Sequence, residues 1–269
     1  AVITNVTLEH TDRCGDTVEE IAHHKAGIIK PGVPVVTGAA GAALVVIEAK
    51  ASRHGSVCEV LGREFTVIGS RIEQERQFFE LRVGQTLPES YSLRLLGRHQ
   101  TANAALAVRA CQLLAQRDER LTPAVIRDGL AKAVWPGRFE IFAGAPLLIL
   151  DGAHNPDGIR TLRQTIDDVF PGRAIVFLFG VLADKNHAEM ARILFRRSDR
   201  AVVVRPHSDR AAVAEDISRE IINAVAAVKT GATIGEGLEL AKEWAGPGGI
   251  VCAAGSLYMI GEVRRIVVG

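Results

Sequence analysis

Two patterns of apolar positions divide the chain into halves. In the first half, the β-branched start "AVITNV" predicts a strand, and residues 99–117 have helical periodicity. Residues 57–96 alternate loosely, as expected for hairpins or a small antiparallel sheet. From the segment "WPGR" at 135–138 onward, short aliphatic runs alternate regularly with helical stretches. This alternation predicts an α/β fold with a mostly parallel sheet covered by helices on both faces.

Local start and stop signals refine the predicted elements. Thr17 and Glu20 have capping-box spacing for a helix that stops near Gly27, and Thr122 followed by Pro123 predicts the start of another helix. The remaining predictions for the first half are a strand at 33–38 and a helix at about 41–53. For the second half we predict strands in "PLLILD", "AIVFLFG", "RAVVV" and "GGIVCAAG", and helices from Asp157, near 187–197, over 212–228 and from Ser256.

The change of pattern also predicts a domain boundary. We place it at Trp135–Arg138, which gives a first domain of residues 1–135 and a second of residues 136–269. The chain begins without Met, directly on a strand that belongs inside a sheet. Since a domain seldom opens on its own central strand, we expect the chain to be a fragment.

Composition and charge exclude several classes of partner. The 269 residues include 32 basic and 31 acidic ones, for a net charge of +1, so no basic excess indicates a nucleic-acid partner. The apolar runs are shorter than the roughly 20 residues that a membrane helix needs. The four cysteines form no CxxC pair, which favours free thiols and a reduced, cytoplasmic setting.

Polar residues follow several predicted strands at the point where each one ends. Asp151 to Asn155 follow "LLIL", residues 181–185 follow "IVFLFG", Gly255 and Ser256 follow "IVCAAG", and His10 with Asp12 follows the first strand. Ligands of open parallel sheets bind at the carboxyl ends of the strands. Turn chemistry is the alternative for any single end, because Gly, Asn, Asp and Pro are ordinary turn residues. Several such ends together favour a ligand site.

The sequence gives weaker signals for a metal site or a phosphate loop than for a ligand site at the strand ends. His10 suits a metal ligand, a base or a surface histidine. Adjacent histidines on a helix, such as His23 and His24, point about 100° apart, so they do not share one ion easily and at least one is expected at the surface. No GxxxxGK[ST] loop and no dinucleotide-binding fingerprint occurs, and "GAAGAA" at 38–43 lacks the lysine of a phosphate loop.

The chain resembles the folylpolyglutamate synthase/dihydrofolate synthase family, a branch of the Mur ligase superfamily of ATP-dependent amide ligases. The segments that carry the resemblance occur in the family's order, over nearly the whole chain: "ITNVTLEHTDRCGDTVEEIAHHKAGIIKPGVPVVTG", "LLGRHQTANAALAV", "WPGRFE", "LLILDGAHNPDG", "FGVLADKN" and "AAGSLYMIGEVR". "DGAHNPDG" with "KAGIIKPG" is specific to this branch. The resemblance implies a Rossmann-like, mostly parallel C-terminal domain. It also implies the C-terminal part of a central ATPase domain, whose phosphate loop lies upstream in the family.

The resemblance implies roles for several residues of the first domain and the boundary. His10 would ligate magnesium, although Glu9 precedes it where the family usually has Asp. Lys25 would be carbamylated, which gives an anion that suits a hard cation, but His24 stands where an acid is common. Asn103 would lie near adenine, and Arg138 would reach the ATP phosphates.

Further roles follow for the second domain. Asp151 would lie near the nucleotide ribose, and His154 near the incoming glutamate. Asp184 and Lys185 match the family's "DK" turn, with Asn186 in place of the more frequent Asp, and would bind the substrate. Ser256 would lie near the glutamate carboxylate. The strand "LLIL" would then end at a cleft between the two domains, where ATP and glutamate meet.

The implied reaction uses ATP and Mg²⁺ to join L-glutamate to folate or dihydropteroate through an acyl phosphate, in a monomeric enzyme. The chain as given would be inactive by itself, because nothing in it replaces the phosphate-loop lysine. The alternatives are another Mur-type amino-acid ligase, which "DGAHNPDG" disfavours, a non-catalytic binding fragment, and a plain α/β protein with turn-rich strand ends.

Overall fold

The computed structural model describes residues 1–8 and 11–269, with only the backbone for residues 11 and 12. The chain forms two compact units, Ala1–Ala133 and Val134–Gly269. The division lies beside the "WPGR" segment.

The first unit begins with a three-stranded parallel sheet. Its strands are β1 (Val2–Ile3), β2 (Val35–Thr37) and β3 (Cys58–Val60), in the order β1-β2-β3. The helices of this part are α1 (Thr11–Cys14), α2 (Val18–Ala26) and α3 (Gly41–Arg53). The predicted strand at 33–38 and helix at 41–53 are confirmed. Small and aliphatic residues, among them Ala22, Val35 and Ile47, form the core.

The capping box of α2 is formed as predicted. The Thr17 hydroxyl accepts a hydrogen bond from the Glu20 backbone N–H, and the Glu20 carboxylate accepts one from the Thr17 N–H, both at 3.2 Å. The helix ends at Gly27, whose N–H donates to the His24 carbonyl. These bonds satisfy backbone groups that a helix end leaves without partners.

A three-stranded antiparallel sheet completes the first unit. It consists of β4 (Phe65–Glu73), β5 (Arg76–Val83) and β6 (Glu89–Leu93), and the helices α4 (Arg98–Ala115) and α5 (Pro123–Lys132) follow. The Thr122 hydroxyl caps α5, with Pro123 at its first position, as predicted. The predicted antiparallel sheet is confirmed for residues 65–93. Residues 58–60 are an exception, because they form the parallel strand β3.

The second unit is built around a six-stranded sheet in the order β11-β10-β9-β12-β8-β7. Its strands are β7 (Glu140–Phe142), β8 (Leu147–Leu150), β9 (Val176–Phe179), β10 (Arg200–Val203), β11 (Ala227–Thr230) and β12 (Ile250–Ala254). Its helices are α6 (Pro156–Val169), α7 (His187–Leu194), α8 (Ala214–Ile221), α9 (Ile234–Ala245) and α10 (Leu257–Val268). All strand pairs are parallel except β7 with β8. The predicted α/β class with a mostly parallel sheet is confirmed.

The predicted helix over 212–228 is confirmed for residues 214–221 and is wrong beyond them. The helix α8 ends at Ile221, and residues 227–230 form the strand β11, followed by the unpredicted helix α9. β11 is an edge strand with exposed Lys229 and Thr230, so it lacks the continuous apolar run of a central strand. Ala227 and Val228 therefore fit the pattern of the preceding helix, and the sequence does not distinguish them from it. The Thr233–Glu236 pair, in which Thr233 accepts from the Glu236 N–H at 3.1 Å, marks the start of α9.

The second unit contains a buried ion-pair network between α6 and Asp199, the residue before β10. Asp199 is 1% exposed, and its carboxylate accepts hydrogen bonds from the N–H groups of Ile175 (2.9 Å) and Arg196 (3.0 Å). The buried Arg163 guanidinium donates to Asp199 at 3.2 Å and also pairs with Asp167 at 2.7 Å. Burial raises the pKa of Asp199, although these partners oppose the shift. The network connects α6 to the start of β10.

Within residues 1–8 and 11–269, we find no helix with the length and apolar character needed to cross a membrane.

Candidate functional site

The ends of three neighbouring strands of the second unit carry the polar residues that the sequence singled out. The strands β9, β12 and β8 are adjacent in the sheet, and all three run parallel. Backbone hydrogen bonds continue past their ends: the Asp151 N–H donates to Ala253 (3.0 Å), and the Gly255 N–H donates to Ala153 (2.9 Å). The three loops therefore begin at one edge of the sheet, held side by side.

Asp151 is the first residue after β8, and its carboxylate is buried. One oxygen accepts a hydrogen bond from the Phe139 N–H at 2.9 Å, and the other accepts one from the Ala153 N–H at 2.8 Å. Burial raises the pKa of Asp151 to about 6, against the effects of these two donors and of the nearby side chains of Arg138 and His154. The carboxylate holds two loops together.

The titration of Asp151 can be measured directly. Because its folded-state pKa is raised, the folded protein holds this proton more tightly than the unfolded chain between about pH 4 and pH 6. The stabilisation from the protonated carboxyl is therefore complete below pH 4 and is lost as the pH rises through about 6. We expect a carbon-13 carboxyl resonance that titrates near pH 6 and is absent from Asp151→Asn. A midpoint near 3.8 would contradict the burial argument.

His154 lies at the tip of the same loop in a fixed orientation. Its Nδ1 is 2.8 Å from the Gly152 carbonyl oxygen. Since a carbonyl only accepts hydrogen bonds, Nδ1 carries the proton, and in the neutral ring Nε2 is left as an acceptor. Gly152 lies close to Leu257, since an added Cβ would be 2.5 Å from Leu257 Cδ2. The loop is thus packed closely against the start of α10.

A cavity of about 170 Å³ opens beside these loops. Its lining combines basic, hydroxyl and apolar groups: His154, Leu182, Lys185, Arg210, Gly255, Ser256, Leu257 and Tyr258. Ser256 is 2% exposed and immediately precedes α10, whose first N–H groups have no partner within the helix. The Ser256 Oγ is buried without a hydrogen-bond partner in the part of the chain that the structure describes. Buried hydroxyls of this kind normally have a partner, so the cavity suits an acceptor such as a carboxylate.

The loop after β9 brings Lys185 to this cavity, with Asp184 next to it. The Lys185 ammonium lies 3.8 Å from the Asp184 carboxylate, and the Arg210 guanidinium also donates to that carboxylate. Burial acts to raise the pKa of Asp184, but the Arg210 hydrogen bond and the charges of Arg210 and Lys185 outweigh it and lower that pKa. Asp184 therefore stays ionised between two cations.

Gly255 makes the turn that connects β12 to Ser256. Its φ is +112°, a conformation that side chains of L-residues rarely adopt, and an added Cβ would lie 2.6 Å from the Gly180 carbonyl oxygen. The close approach of the two backbones explains why a glycine is needed here. It also sets where Ser256 and the first turn of α10 begin.

Arg138 is exposed, and it immediately precedes the residue that donates to Asp151. Its neighbour Phe139 is buried, with an unusual φ of +48°, and its ring stacks on Phe170 at 6.5 Å between ring centres. Strained backbone of this kind costs about 1–3 kcal/mol and persists only where the surroundings hold it. The Asp151 carboxylate supplies part of that support and thereby fixes the turn that carries Arg138.

Comparison with known proteins is consistent with this arrangement. Residues 137–257 match the family model described as Mur ligase, glutamate ligase domain. The chain is 39% identical over 193 residues to the folylpolyglutamate synthase of Lacticaseibacillus casei, covering 71% of this chain and 45% of that protein. It is 32% identical over 268 residues to the dihydrofolate synthase/folylpolyglutamate synthase of Bacillus subtilis, covering 98% of this chain and 61% of that protein.

The chain is a homologue of the folylpolyglutamate and dihydrofolate synthases. Solved structures agree. The apo form of L. casei folylpolyglutamate synthase has a TM-score of 0.82 at 33% identity, covering 100% of this chain and 61% of that chain. The Mycobacterium tuberculosis folylpolyglutamate synthase complexed with ADP and AMPPCP has a TM-score of 0.83 at 29% identity, covering 98% and 63%. The chain thus spans 45% to 63% of the length of these four relatives.

Three residues that the resemblance to these synthases singles out belong to the first unit. Lys25 lies in the last turn of α2, half-buried, beside the exposed His23 and His24. Asn103 is exposed on α4. His10 lies outside the described residues. Among the residues that are described, no group of three or more His, Cys, Asp or Glu side chains could hold a metal ion.

Two residues of the cavity were not predicted from the sequence of this synthase homologue. Arg210 lies in the polar segment "PHSDR" after β10, and Tyr258 lies in the first turn of α10. The strand-end rule that pointed to the other loops also applies to β10. The signal in the sequence was therefore available for Arg210, whereas nothing distinguished Tyr258 from an ordinary helix residue.

Proposed function

We propose that these residues belong to an ATP-dependent ligase that joins L-glutamate to folate or dihydropteroate through an amide bond. The homologues from L. casei and B. subtilis are folylpolyglutamate and dihydrofolate synthases, which supports this ligase activity. One of the structural relatives is complexed with ADP and AMPPCP, which supports the nucleotide. The observation on this chain that carries the proposal is the buried, unpartnered Ser256 hydroxyl in a cavity with Lys185 and Arg210.

The cavity is proposed as the site of the amino acid. Its volume of about 170 Å³ is below the range of roughly 300–1,000 Å³ that is typical of pockets for larger ligands, so it suits an amino acid better than a pterin. A carboxylate there would accept hydrogen bonds from the Ser256 hydroxyl and from the free N–H groups at the start of α10. The positive end of the helix dipole favours an anion at the same place.

The chemistry follows from the weakness of a carboxylate as an electrophile. In the proposed reaction, the carboxylate of the pteroyl substrate takes the γ-phosphoryl group of ATP, giving an acyl phosphate and ADP. The glutamate amine then forms the C–N bond, and phosphate leaves. The amine must lose a proton before it attacks. Nε2 of His154, left as an acceptor by the bond from Nδ1 to Gly152, is proposed to take that proton.

The remaining predicted roles are part of the same proposal. Arg138 would offset negative charge on the phosphoryl group. Asp151 would lie near the ribose, and its bond to the Phe139 N–H would hold the turn that carries Arg138. Asn103 would lie near adenine. Mg²⁺, when bound, would neutralise phosphate charge, and His10 with a carbamylated Lys25 is proposed to hold it. Four free cysteines fit a reducing, cytoplasmic setting.

The Ser256→Ala variant tests the cavity assignment. We expect it to weaken the binding of L-glutamate to this chain by about tenfold or more, since a hydrogen bond to a charged group contributes about 1.5–3 kcal/mol. The stability of the second unit should stay the same or rise slightly, because the buried hydroxyl has no partner to lose. Isothermal titration calorimetry and thermal unfolding give the two quantities.

Ser218→Ala is the matched control for this test. The Ser218 hydroxyl donates to the Ala214 carbonyl at 2.8 Å on α8, away from the cavity. This variant should bind L-glutamate normally and lose about 0.5–1.5 kcal/mol of stability with its hydrogen bond. Absence of L-glutamate binding to the unmodified chain, or equal binding by both variants, would contradict the assignment of the cavity.

A further inference from the structure

The cavity offers two positions for an anion, one at Ser256 and one at its basic side chains. Ser256 and the start of α10 form one anion-binding position. Lys185 and Arg210 add two cations, of which Asp184 neutralises one. An amino acid with a single carboxylate would occupy only one of these two positions. The arrangement therefore points to a ligand with two carboxylates.

We propose that Arg210 is the specificity-determining residue that recognises the side-chain carboxylate of the amino-acid substrate, and that Asp184 positions it. This inference rests on the proposed function of the cavity and goes beyond it, because it assigns the choice between L-glutamate and its neutral analogues to one side chain. The resemblance placed Asp184 among the substrate-binding residues, whereas Arg210 was not predicted.

Backbone hydrogen bonds between two loops hold Arg210 at the cavity. The Ala183 N–H donates to the Arg210 carbonyl at 2.8 Å, and the Ala212 N–H donates to the Val181 carbonyl at 3.0 Å. Leu182 and Ala211 form an antiparallel bridge between these two bonds. The loop after β9 and the loop after β10 are thus paired along three consecutive residues. This pairing places Arg210 beside Asp184 and Lys185.

The Arg210 guanidinium has further N–H donors for a ligand besides the one that contacts Asp184. Its contact with Asp184 uses Nη2, and a guanidinium offers five N–H donors in a planar fork that matches a carboxylate. The Arg210 side chain is 62% exposed, whereas that of Lys185 is 32% exposed, so the arginine is the more accessible of the two cations. Asp184 restrains the long side chain, which reduces the rotamer freedom that binding would otherwise remove.

The test compares three amino acids on the chain itself. Unmodified protein should bind L-glutamate at least tenfold more tightly than L-glutamine or L-norvaline, because the site presents a cation to the side-chain carboxylate. In Arg210→Gln the preference should fall to within about twofold, mainly through weaker L-glutamate binding. Arg210→Lys should restore part of the preference, since it restores the charge without the planar fork. Asp184→Asn should reduce the preference less than Arg210→Gln.

Arg219→Gln is the matched control. Arg219 is an exposed arginine on α8 that pairs with Asp216, outside the cavity. This variant should keep the full preference. If the unmodified chain binds L-glutamate but Arg210→Gln keeps the preference for it, the role of Arg210 is overturned while the proposed function stands. If the unmodified chain binds none of the three amino acids, the proposed function of the cavity fails, and the role of Arg210 fails with it.

Discussion

Alanine in place of Gly255 should destabilise the second unit by about 2–4 kcal/mol and abolish measurable binding of L-glutamate. The φ of +112° is strained for any residue with a Cβ. The added methyl would also meet the Gly180 carbonyl oxygen at 2.6 Å and Phe179 Cε2 at 3.0 Å. Neither neighbour can yield, since one is backbone and the other is buried core. Relief requires a shift of the turn that positions Ser256.

Gly261→Ala provides a control of opposite sign. Gly261 lies within α10 with no atom within 4 Å of an added Cβ, so alanine there should stabilise the helix by about 1 kcal/mol. Both tryptophans, Trp135 and Trp244, lie in the second unit, so denaturation followed by tryptophan fluorescence reports on that unit alone. Similar shifts in the two glycine variants would refute the steric argument.

Asp199→Ala should lower the free energy of unfolding of the second unit by about 3–5 kcal/mol. The substitution removes a buried carboxylate that accepts from two backbone N–H groups and from the Arg163 guanidinium. The N–H groups of Ile175 and Arg196 would lose their acceptor, and Arg163, itself buried, would keep Asp167 and a long bond of 3.5 Å to the Leu194 carbonyl. The cost arises from leaving buried donors unpaired, more than from the attraction that is lost.

An exposed carboxylate on the same unit gives the comparison for Asp199. Asp157 pairs with Arg160 at 2.9 Å near the start of α6, and its side chain is 61% exposed. Asp157→Ala should therefore cost about 1 kcal/mol or less. Urea denaturation monitored by tryptophan fluorescence measures both variants. A loss below about 1 kcal/mol in Asp199→Ala would show that the network relaxes without it.

The sequence predicted the central strands of the second unit and their polar ends better than it predicted the edge strand β11. β8, β9 and β12 are central strands, buried on both faces, so each appears as an unbroken aliphatic run followed by polar residues. Parallel strands end on the same side of a sheet, which is why residues about a hundred positions apart, such as His154 and Ser256, could be expected together. β11 lies at the edge and is half exposed, so its pattern was lost in that of the preceding helix.

Other features of the site depend on contacts that no local pattern encodes. The pairing of the loops after β9 and β10 brings Arg210 to the cavity, and this pairing depends on the order of strands in the sheet. The raised pKa of Asp151 arises from burial beneath a turn that is distant in sequence. The resemblance to the synthase family assigned roles to Lys25, Asn103 and His10, and those roles remain predictions.

The two hydrogen bonds of Asp151 have a consequence for communication inside the second unit. One carboxylate oxygen secures the turn that bears Arg138, and the other secures the tip that bears His154. A ligand at the arginine end that displaces the Asp151 carboxylate would therefore also displace the loop at the histidine end, and this would couple the two proposed sites. Since such coupling is reciprocal, the amino acid would change the affinity for the nucleotide by the same factor as the nucleotide changes that for the amino acid.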